Sequence, residues 1–233
     1  GSYLVDIFRA AGGTGREYVF HGPGNDFELQ GLTPAKVSDS SAGSSGDTPS
    51  VVDSLELSET REAEGRSPWK ITWKLADDYR FDALSPGQPN ETVVLGQGWG
   101  QRNHRNTDRG AKLPYVIRRR EGKDRADLFV SVFAGSRADG RLVRGVRLLP
   151  VGGEEAPHAV AIAVDTSLGT DVVVSMTEDT SSLSIPFDGS PIVTDGRCAA
   201  LLSNGQGRPP WGCLVGGTRL TAPGVQLSLP VDR

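Results

Sequence analysis

The sequence predicts an all-β protein, an antiparallel β-sandwich or part of a β-supersandwich followed by a small C-terminal β-sheet domain. Thirty glycines and a hydrophobic content of 36% are typical of a chain with many turns. Short apolar or alternating segments recur about every 10 residues, which is typical of a meander or sandwich. Helix signals are almost absent, since only residues 54–64 carry helix-forming side chains, and "SLELSE" within them alternates equally well. We expect two sheets.

Two strands near the start show how the sheets are built. Val19 and Phe20 are adjacent in a predicted strand and must face opposite sides, so that strand is expected to be covered on both faces. The segment "WKITWKL" alternates with period two, which predicts a half-buried antiparallel strand. Its expected inward-facing residues are Trp69, Ile71, Trp73 and Leu75.

The 233 residues allow one large domain or two small ones. A charged, turn-rich segment, "AGSRADGR" at 134–141, predicts a boundary that divides the chain into domains 3–140 and 141–233. The Ser- and Gly-rich stretch at 38–50 predicts a flexible surface loop. Gly1 and Ser2 resemble the scar of a protease site, so we expect the chain to be cut from a longer protein.

Positive charge is concentrated in the middle of the chain. The net charge is −4, yet residues 102–147 contain 13 Lys and Arg against 5 Asp and Glu, a net of +8. This asymmetry favours an anionic partner. The alternative is that these arginines lie on the solvent-exposed faces of strands and only aid solubility.

The two cysteines flank a predicted hairpin turn, "SNGQGRPPWG". Cys198 and Cys213 are therefore expected on neighbouring strands, where they would pair in an oxidising compartment. Two buried thiols are the equally weighted alternative.

Common catalytic motifs are missing from the sequence. It contains no G-x-S-x-G, H-E-x-x-H or C-x-x-C pattern, and its three histidines are far apart. No run of apolar residues approaches the roughly 18 needed to span a membrane. We therefore predict no catalytic residue, no metal site, no membrane span and no nucleic-acid partner.

Two stretches remain as candidate substrate-binding segments. His21 precedes Gly-Pro-Gly, so we expect an unusual backbone there and a fixed side chain; the alternative is a histidine bonded to a backbone group at a strand end. In "GWGQRNHRNTDRG" the tryptophan suits a sugar ring, and arginine suits carboxylates or sulfates because its planar fork binds them in a bidentate way. The alternative is a mobile charged loop. The candidate residues of this second stretch are Trp99, Arg102, His104, Arg105 and Arg109.

Five blocks in order resemble the heparinase II/III-like polysaccharide lyases, over nearly the whole chain apart from the Ser/Gly loop. The first, "YLVDIFRAAGGTGREYVFHGPG", is similar to that family's Tyr-hydrophobic-Val-Asp-hydrophobic-Phe-Arg segment, with its Gly-Gly turn and its aromatic strand ending in His-Gly. The others are "WKITWKL", "VVLGQGWGQR", "LPYVIRRREG" with "LFVSVFAG", and "TDGRCAALL" with "LVGGTRL".

This resemblance implies a parent with a helical toroid, a β-supersandwich and a small C-terminal β-domain. Such enzymes cleave acidic, uronate-containing polysaccharides by β-elimination and are periplasmic or secreted. The family's catalytic motifs and its structural zinc ligands lie upstream of the "YLVDIFR" strand, so no cofactor is expected within these residues. Many relatives have His-Asp where this chain has Arg16-Glu17, which weakens any role for that turn.

Two hypotheses therefore follow. In the first, the chain is the non-catalytic C-terminal β-sandwich region of such a lyase, with acidic polysaccharide and the missing toroid as its partners. In the second, it is a free-standing carbohydrate-binding β-sandwich for anionic glycans. A purely structural scaffold is the third and weakest option.

Overall fold

The chain is almost entirely β-structure in the computed structural model. The structure describes residues 2–36, 51–100, 107, 110–123, 126–151, 158–177, 182–205 and 210–229. Within these ranges the chain forms nineteen strands, numbered β1–β19, in four antiparallel sheets, together with one helical turn. The all-β prediction is confirmed. No helix in this part of the chain is long and apolar enough to cross a membrane.

The number of sheets was predicted wrongly, because there are four rather than two. The C-terminal part alone forms two of them. The segment "CLVGGTRLTA" looked like one strand, but its turn at Gly216 and Gly217 divides it into strands that belong to different sheets. A further strand, Ser190–Thr194, begins with Ser-Pro and lacked a recognisable strand pattern.

The chain divides into two compact units, residues 4–138 and residues 139–233 together with residues 1–3. The division lies within the segment 134–141, although a strand still continues to Arg137. Each unit is described by itself below.

The first unit contains sheets A and B, with five strands each. In spatial order, sheet A consists of β1 (Tyr3–Ala11), β10 (Ala126–Arg137), β7 (Tyr79–Ser85), β6 (Trp69–Lys74) and β3 (Phe27–Gln30). Sheet B consists of β2 (Gly15–His21), β9 (Lys112–Glu121), β8 (Glu91–Trp99), β5 (Ser58–Glu64) and β4 (Ala35–Lys36). Residues 54–64, whose pattern fitted helix and strand equally, thus supply β5.

The hydrophobic core of this unit combines side chains from both sheets. As predicted, Trp69, Ile71 and Trp73 of β6 are buried in it. Leu75 does not join them; it follows the end of β6 and is 40% exposed. Thr72, on the other face, is buried as well, and its hydroxyl donates a hydrogen bond to the buried Asp82.

Sheet B also packs on its outer face. Val19 contacts a small cluster there with Val94 and Ile117, whereas Phe20 packs into the main core, which confirms the prediction that this strand is covered on both sides. The cover includes Val51, in the single helical turn α1 (Val51–Ser54). The carboxylate of Glu17 accepts a 2.9 Å hydrogen bond from the Val51 amide and fixes the start of that turn.

The second unit contains five-stranded sheet C and four-stranded sheet D. Sheet C consists, in spatial order, of β11 (Val143–Leu149), β12 (Ala159–Thr166), β13 (Gly169–Met176), β16 (Cys198–Leu202) and β17 (Trp211–Val215). Sheet D consists of β14 (Leu183–Phe187), β15 (Ser190–Thr194), β18 (Arg219–Ala222) and β19 (Val225–Ser228). Their core is aliphatic, with Val174 and Leu201 from sheet C beside Ile185, Ile192 and Leu220 from sheet D.

The cysteines lie on the neighbouring strands β16 and β17, as the hairpin predicted. Both thiols are free and exposed, so the alternative of two buried thiols is wrong. The residues on the other face of β16, Ala199 and Leu201, are the ones that enter the core. Alternation along the strand therefore places Cys198 on the outward face.

Candidate functional site

Two of the six predicted substrate-binding residues, Trp99 and His21, lie in the described part of the chain. Both are at strand ends in sheet B, Trp99 at the end of β8 and His21 at the end of β2. The other four fall outside the described residues; they are Arg102, His104, Arg105 and Arg109.

Trp99 is an exposed aromatic side chain that neighbouring residues hold in place. Its side chain is 52% exposed, although β8 is otherwise largely buried. Lys112 lies directly opposite in the register, with its Nζ 5.6 Å from the centroid of the indole ring. The Tyr115 hydroxyl donates a 2.7 Å hydrogen bond to the Trp99 carbonyl. The ring is thus presented to solvent with a cation beside it.

Lys112 is itself fixed by contacts with two other segments. Its ammonium group donates a 2.8 Å hydrogen bond to the Ser58 hydroxyl on β5. Its carbonyl accepts a 3.3 Å hydrogen bond from the Asn25 side chain. These contacts hold a positive charge at the same end of sheet B as the exposed indole.

His21 lies at this end too, but on the opposite face of the sheet. It pairs with Tyr115 in the register, and their ring centroids are 5.6 Å apart. Its Nδ1 lies 3.3 Å from the Gly22 carbonyl. Since alternate strand residues share a face, His21 is on the side of Val19, whereas Trp99 is on the inner side with Leu95. The two residues therefore do not form one reacting pair.

The backbone after His21 is not unusual in the way that Gly-Pro-Gly suggested. Gly22 and Gly24 do not have positive φ values. Gly22 is required for another reason, because a Cβ atom there would lie 2.1 Å from Nε1 of the buried Trp73. The indole packs directly against the Gly22 backbone, whose N–H donates to the Pro114 carbonyl at 2.8 Å.

A narrow cleft opens between the two sheets at this end of the first unit. Its enclosed space has room for about one water molecule, which is far less than a ligand pocket needs. Aromatic and aliphatic residues form its walls, and Glu59, Arg61 and Gln97 are its polar lining. Gln97 and Trp99 are alternate residues of β8, so Trp99 extends the lined face outward. The hydrophobic lining consists of Phe27, Ile71, Trp73, Leu95, Pro114, Tyr115 and Val116.

Sequence reasoning missed this cleft and its polar residues. Arg61 lies in β5, the segment whose alternation was noted but not assigned a face. A β-bulge between Ser58 and Arg61 shifts the register there, and bulges leave no clear signal in the residue pattern.

The arginines of "YVIRRR" do not lie on a solvent-exposed face as the solubility alternative held. Arg118 is fully buried and binds the Glu91 carboxylate through two hydrogen bonds of 2.7 and 3.1 Å. Arg120 donates a 2.7 Å hydrogen bond to the side chain of Gln88. Arg119, on the opposite face, pairs with Glu17 at 2.7 Å. These three charges stabilise the sandwich and are not free for a ligand.

Arg16 and Glu17, the turn at which the sequence departs from the family resemblance, are also engaged within the fold. The Arg16 guanidinium is buried against the Asp127 carboxylate. Nearby, the Tyr18 hydroxyl donates a 2.6 Å hydrogen bond to Asp6. Burial, together with this bond to a carboxylate, raises the pKa of Tyr18 well above its usual range. The phenol therefore stays protonated at neutral pH.

The arrangement at the Trp99 end is suited to binding. A flat, exposed indole is the kind of surface on which the apolar face of a sugar ring can stack, and Lys112 and Arg61 are cations of the kind that bind carboxylates or sulfates. His21 is on the opposite face of the sheet from a ligand that lies on Trp99.

The chain was compared with models of protein families and with curated proteins. No protein-family model matches the chain, and no curated protein matches it significantly.

Proposed function

We propose that this chain is a non-catalytic β-sandwich region that binds acidic polysaccharide, and that its parent is a heparinase II/III-like lyase. The observation that carries the binding proposal is Trp99, exposed at the sandwich end with Lys112 beside its ring. The link to the lyase family rests on the resemblance of five ordered sequence blocks.

Polysaccharide lyases need three functions at one place. A base removes the proton next to the uronate carboxylate, an acid protonates the leaving oxygen, and cations or hydrogen-bond donors neutralise the carboxylate. Among the described residues of this site, the charges of Lys112 and Arg61 support the third function. In the parent, this region would border the substrate cleft, and the toroid would supply the base and the acid. Such a parent would work in the periplasm or outside the cell.

The test combines an activity assay with a binding assay. The chain is incubated with heparan sulfate and with alginate, and the ultraviolet absorbance of an unsaturated uronate product is followed. We expect no rise in absorbance. In affinity electrophoresis, the polysaccharide should retard the chain, and Trp99→Ala should weaken binding about 10-fold, or roughly 1.4 kcal/mol. Product formation would overturn the non-catalytic assignment, and equal retardation of both proteins would overturn the site.

A free-standing glycan-binding module is the second candidate. It is favoured by the fact that Trp99, Lys112 and the cleft all belong to the single compact unit 4–138. The reading frame upstream of Tyr3 in the parent gene discriminates between the two. A long helical toroid pattern there supports the lyase, and a signal sequence joined directly to Tyr3 supports the module.

A further inference from the structure

The two thiols of the second unit lie on one exposed face of sheet C. In the ladder between β16 and β17, Cys198 pairs with Val215 and Cys213 pairs with Ala200. Because alternate strand residues share a face, both thiols project from the same side, offset diagonally by two positions. Leu201, on the opposite side of β16, points into the core. The thiols are therefore close neighbours on the outer surface, and both are exposed.

This diagonal spacing is too long for a disulfide and suits a bridging ion. Diagonal neighbours in an antiparallel ladder have Cα atoms about 7–8 Å apart, whereas disulfides need roughly 4.4–6.8 Å. Two sulfur atoms that each bind one ion at about 2.3 Å are up to roughly 4.6 Å apart. The Cβ atoms of diagonal neighbours are closer together than their Cα atoms, so side chains that lean towards each other bring the sulfur atoms closer still.

The two sulfur atoms favour a soft cation. Ala200, Val215 and the exposed Trp211 share their face and offer no side-chain oxygen, while Ser175, opposite Cys198 on β13, offers only a neutral hydroxyl. Among the residues described, no group of three or more His, Cys, Asp and Glu side chains is placed to hold a metal ion. Two thiolates are sufficient for a soft monovalent ion such as Cu(I), which prefers sulfur.

A cation that binds both sulfurs must displace the protons they carry, as in thiolate metal sites generally.

We propose that Cys198 and Cys213 form a two-thiolate binding site for a soft monovalent cation of the Cu(I) class. Two sulfur–metal bonds form, two thiol protons are released to solvent, and neither sulfur nor metal changes oxidation state. The site is independent of the glycan-binding proposal, because both of its ligands belong to the second unit.

The first test is an anaerobic competition for Cu(I) against a coloured chelator. We expect one ion per chain, and about 100-fold weaker binding in Cys198→Ser and in Cys213→Ser, because each variant loses the second ligand of a chelating pair. Ag(I), used as a second probe, should quench the fluorescence of Trp211, two residues from Cys213 on the same face. In Trp211→Phe, binding should persist and this quenching should disappear.

A matched double variant tests the diagonal geometry. Cys213→Ser combined with Val215→Cys moves the second thiol to the position directly opposite Cys198, where Cα atoms are about 4.5–5.5 Å apart. This variant should form an intramolecular disulfide with oxidised glutathione by thiol–disulfide exchange, releasing two reduced glutathione molecules. The unmodified chain should stay a dithiol under the same conditions.

Two outcomes would overturn the proposal. One is Cu(I) affinity that the single serine variants leave unchanged. The other is disulfide formation in the unmodified chain as fast as in the double variant, which would show that the thiols are directly apposed.

Discussion

The two ends of the ladder between β8 and β9 differ in how their charged side chains are buried and paired. The ladder runs from Glu91 opposite Arg120 to Trp99 opposite Lys112. At the first end, Arg118 and Glu91 form a salt bridge with both side chains fully buried. At the second end, a lysine lies beside a tryptophan that is half exposed. The first end resembles a structural core, and the second has the features of a binding surface.

The difference follows from what surrounds each cation. The Arg118 guanidinium lies 5.5 Å from the ring centroids of both Trp69 and Phe129 and donates to the Val130 carbonyl at 2.7 Å. Arginine provides five donors in a planar fork, which satisfies carboxylate, carbonyl and ring faces together. Lys112 has a single compact ammonium group, and its aliphatic stem can leave that charge close to water.

The largest expected effect is at the buried end. Arg118→Ala should lower the free energy of unfolding by about 3–5 kcal/mol, because it leaves the Glu91 carboxylate buried without its partner. Chemical denaturation measures the loss. Lys74→Ala is the control, since it breaks the exposed pair with Glu28 in the same unit and should leave the denaturation midpoint unchanged.

A double variant separates pairing from packing at that end. Arg118→Met combined with Glu91→Leu should recover much of the stability that Arg118→Ala loses, because neither member of this pair is left as an unpaired buried charge. If the double variant is as unstable as the single one, the ion pair is not the cause of the loss.

The next effect is at the contact between Gly22 and Trp73. Gly22→Ala should cost about 1–3 kcal/mol, because the added methyl group overlaps the buried indole and forces it to shift. Gly24→Ala is the matched control, since a Cβ atom there meets nothing within 4 Å. Equal stability of the two variants would contradict this packing account.

The smallest effect is expected at Lys112. Lys112→Met keeps the aliphatic stem but removes the charge over Trp99 and the bond to Ser58, so the free energy of unfolding should fall by less than about 1 kcal/mol. In the same variant, the loss in the free energy of polysaccharide binding should be larger than the loss in the free energy of unfolding. On one protein sample, denaturation measures the free energy of unfolding and affinity electrophoresis measures the affinity for the polysaccharide. A large loss of stability with unchanged binding would make Lys112 a structural residue.

The sequence predicted well the features that depend on local periodicity. Trp69, Ile71 and Trp73 face the core because strand residues alternate, and Val19 and Phe20 pack on opposite faces for the same reason. Leu75 was assigned wrongly because alternation does not show where a strand ends. The turn between β17 and β18 was missed although Gly216 and Gly217 mark it, since the residues on both sides favour strands.

The candidate site was less predictable, because it depends on contacts between distant segments. Arg118 and Lys112 are six residues apart in one basic stretch. From composition alone, both would be predicted to belong to the same charged surface. The partners that make Arg118 internal, the Glu91 carboxylate and the Val130 carbonyl, come from other strands. Gly22 is similar: its local sequence suggested an unusual backbone, but its lack of a side chain makes room for Trp73 from another sheet.

The most direct test of the account uses the indole N–H resonances of the four tryptophans in an NMR titration with a heparan sulfate oligosaccharide. Substitution of one tryptophan at a time assigns each signal. The account predicts that the Trp99 signal shifts in a saturable way, while those of the buried Trp69 and Trp73 and of the exposed Trp211 remain in place. A saturable shift of Trp211 with an unchanged Trp99 signal would contradict it.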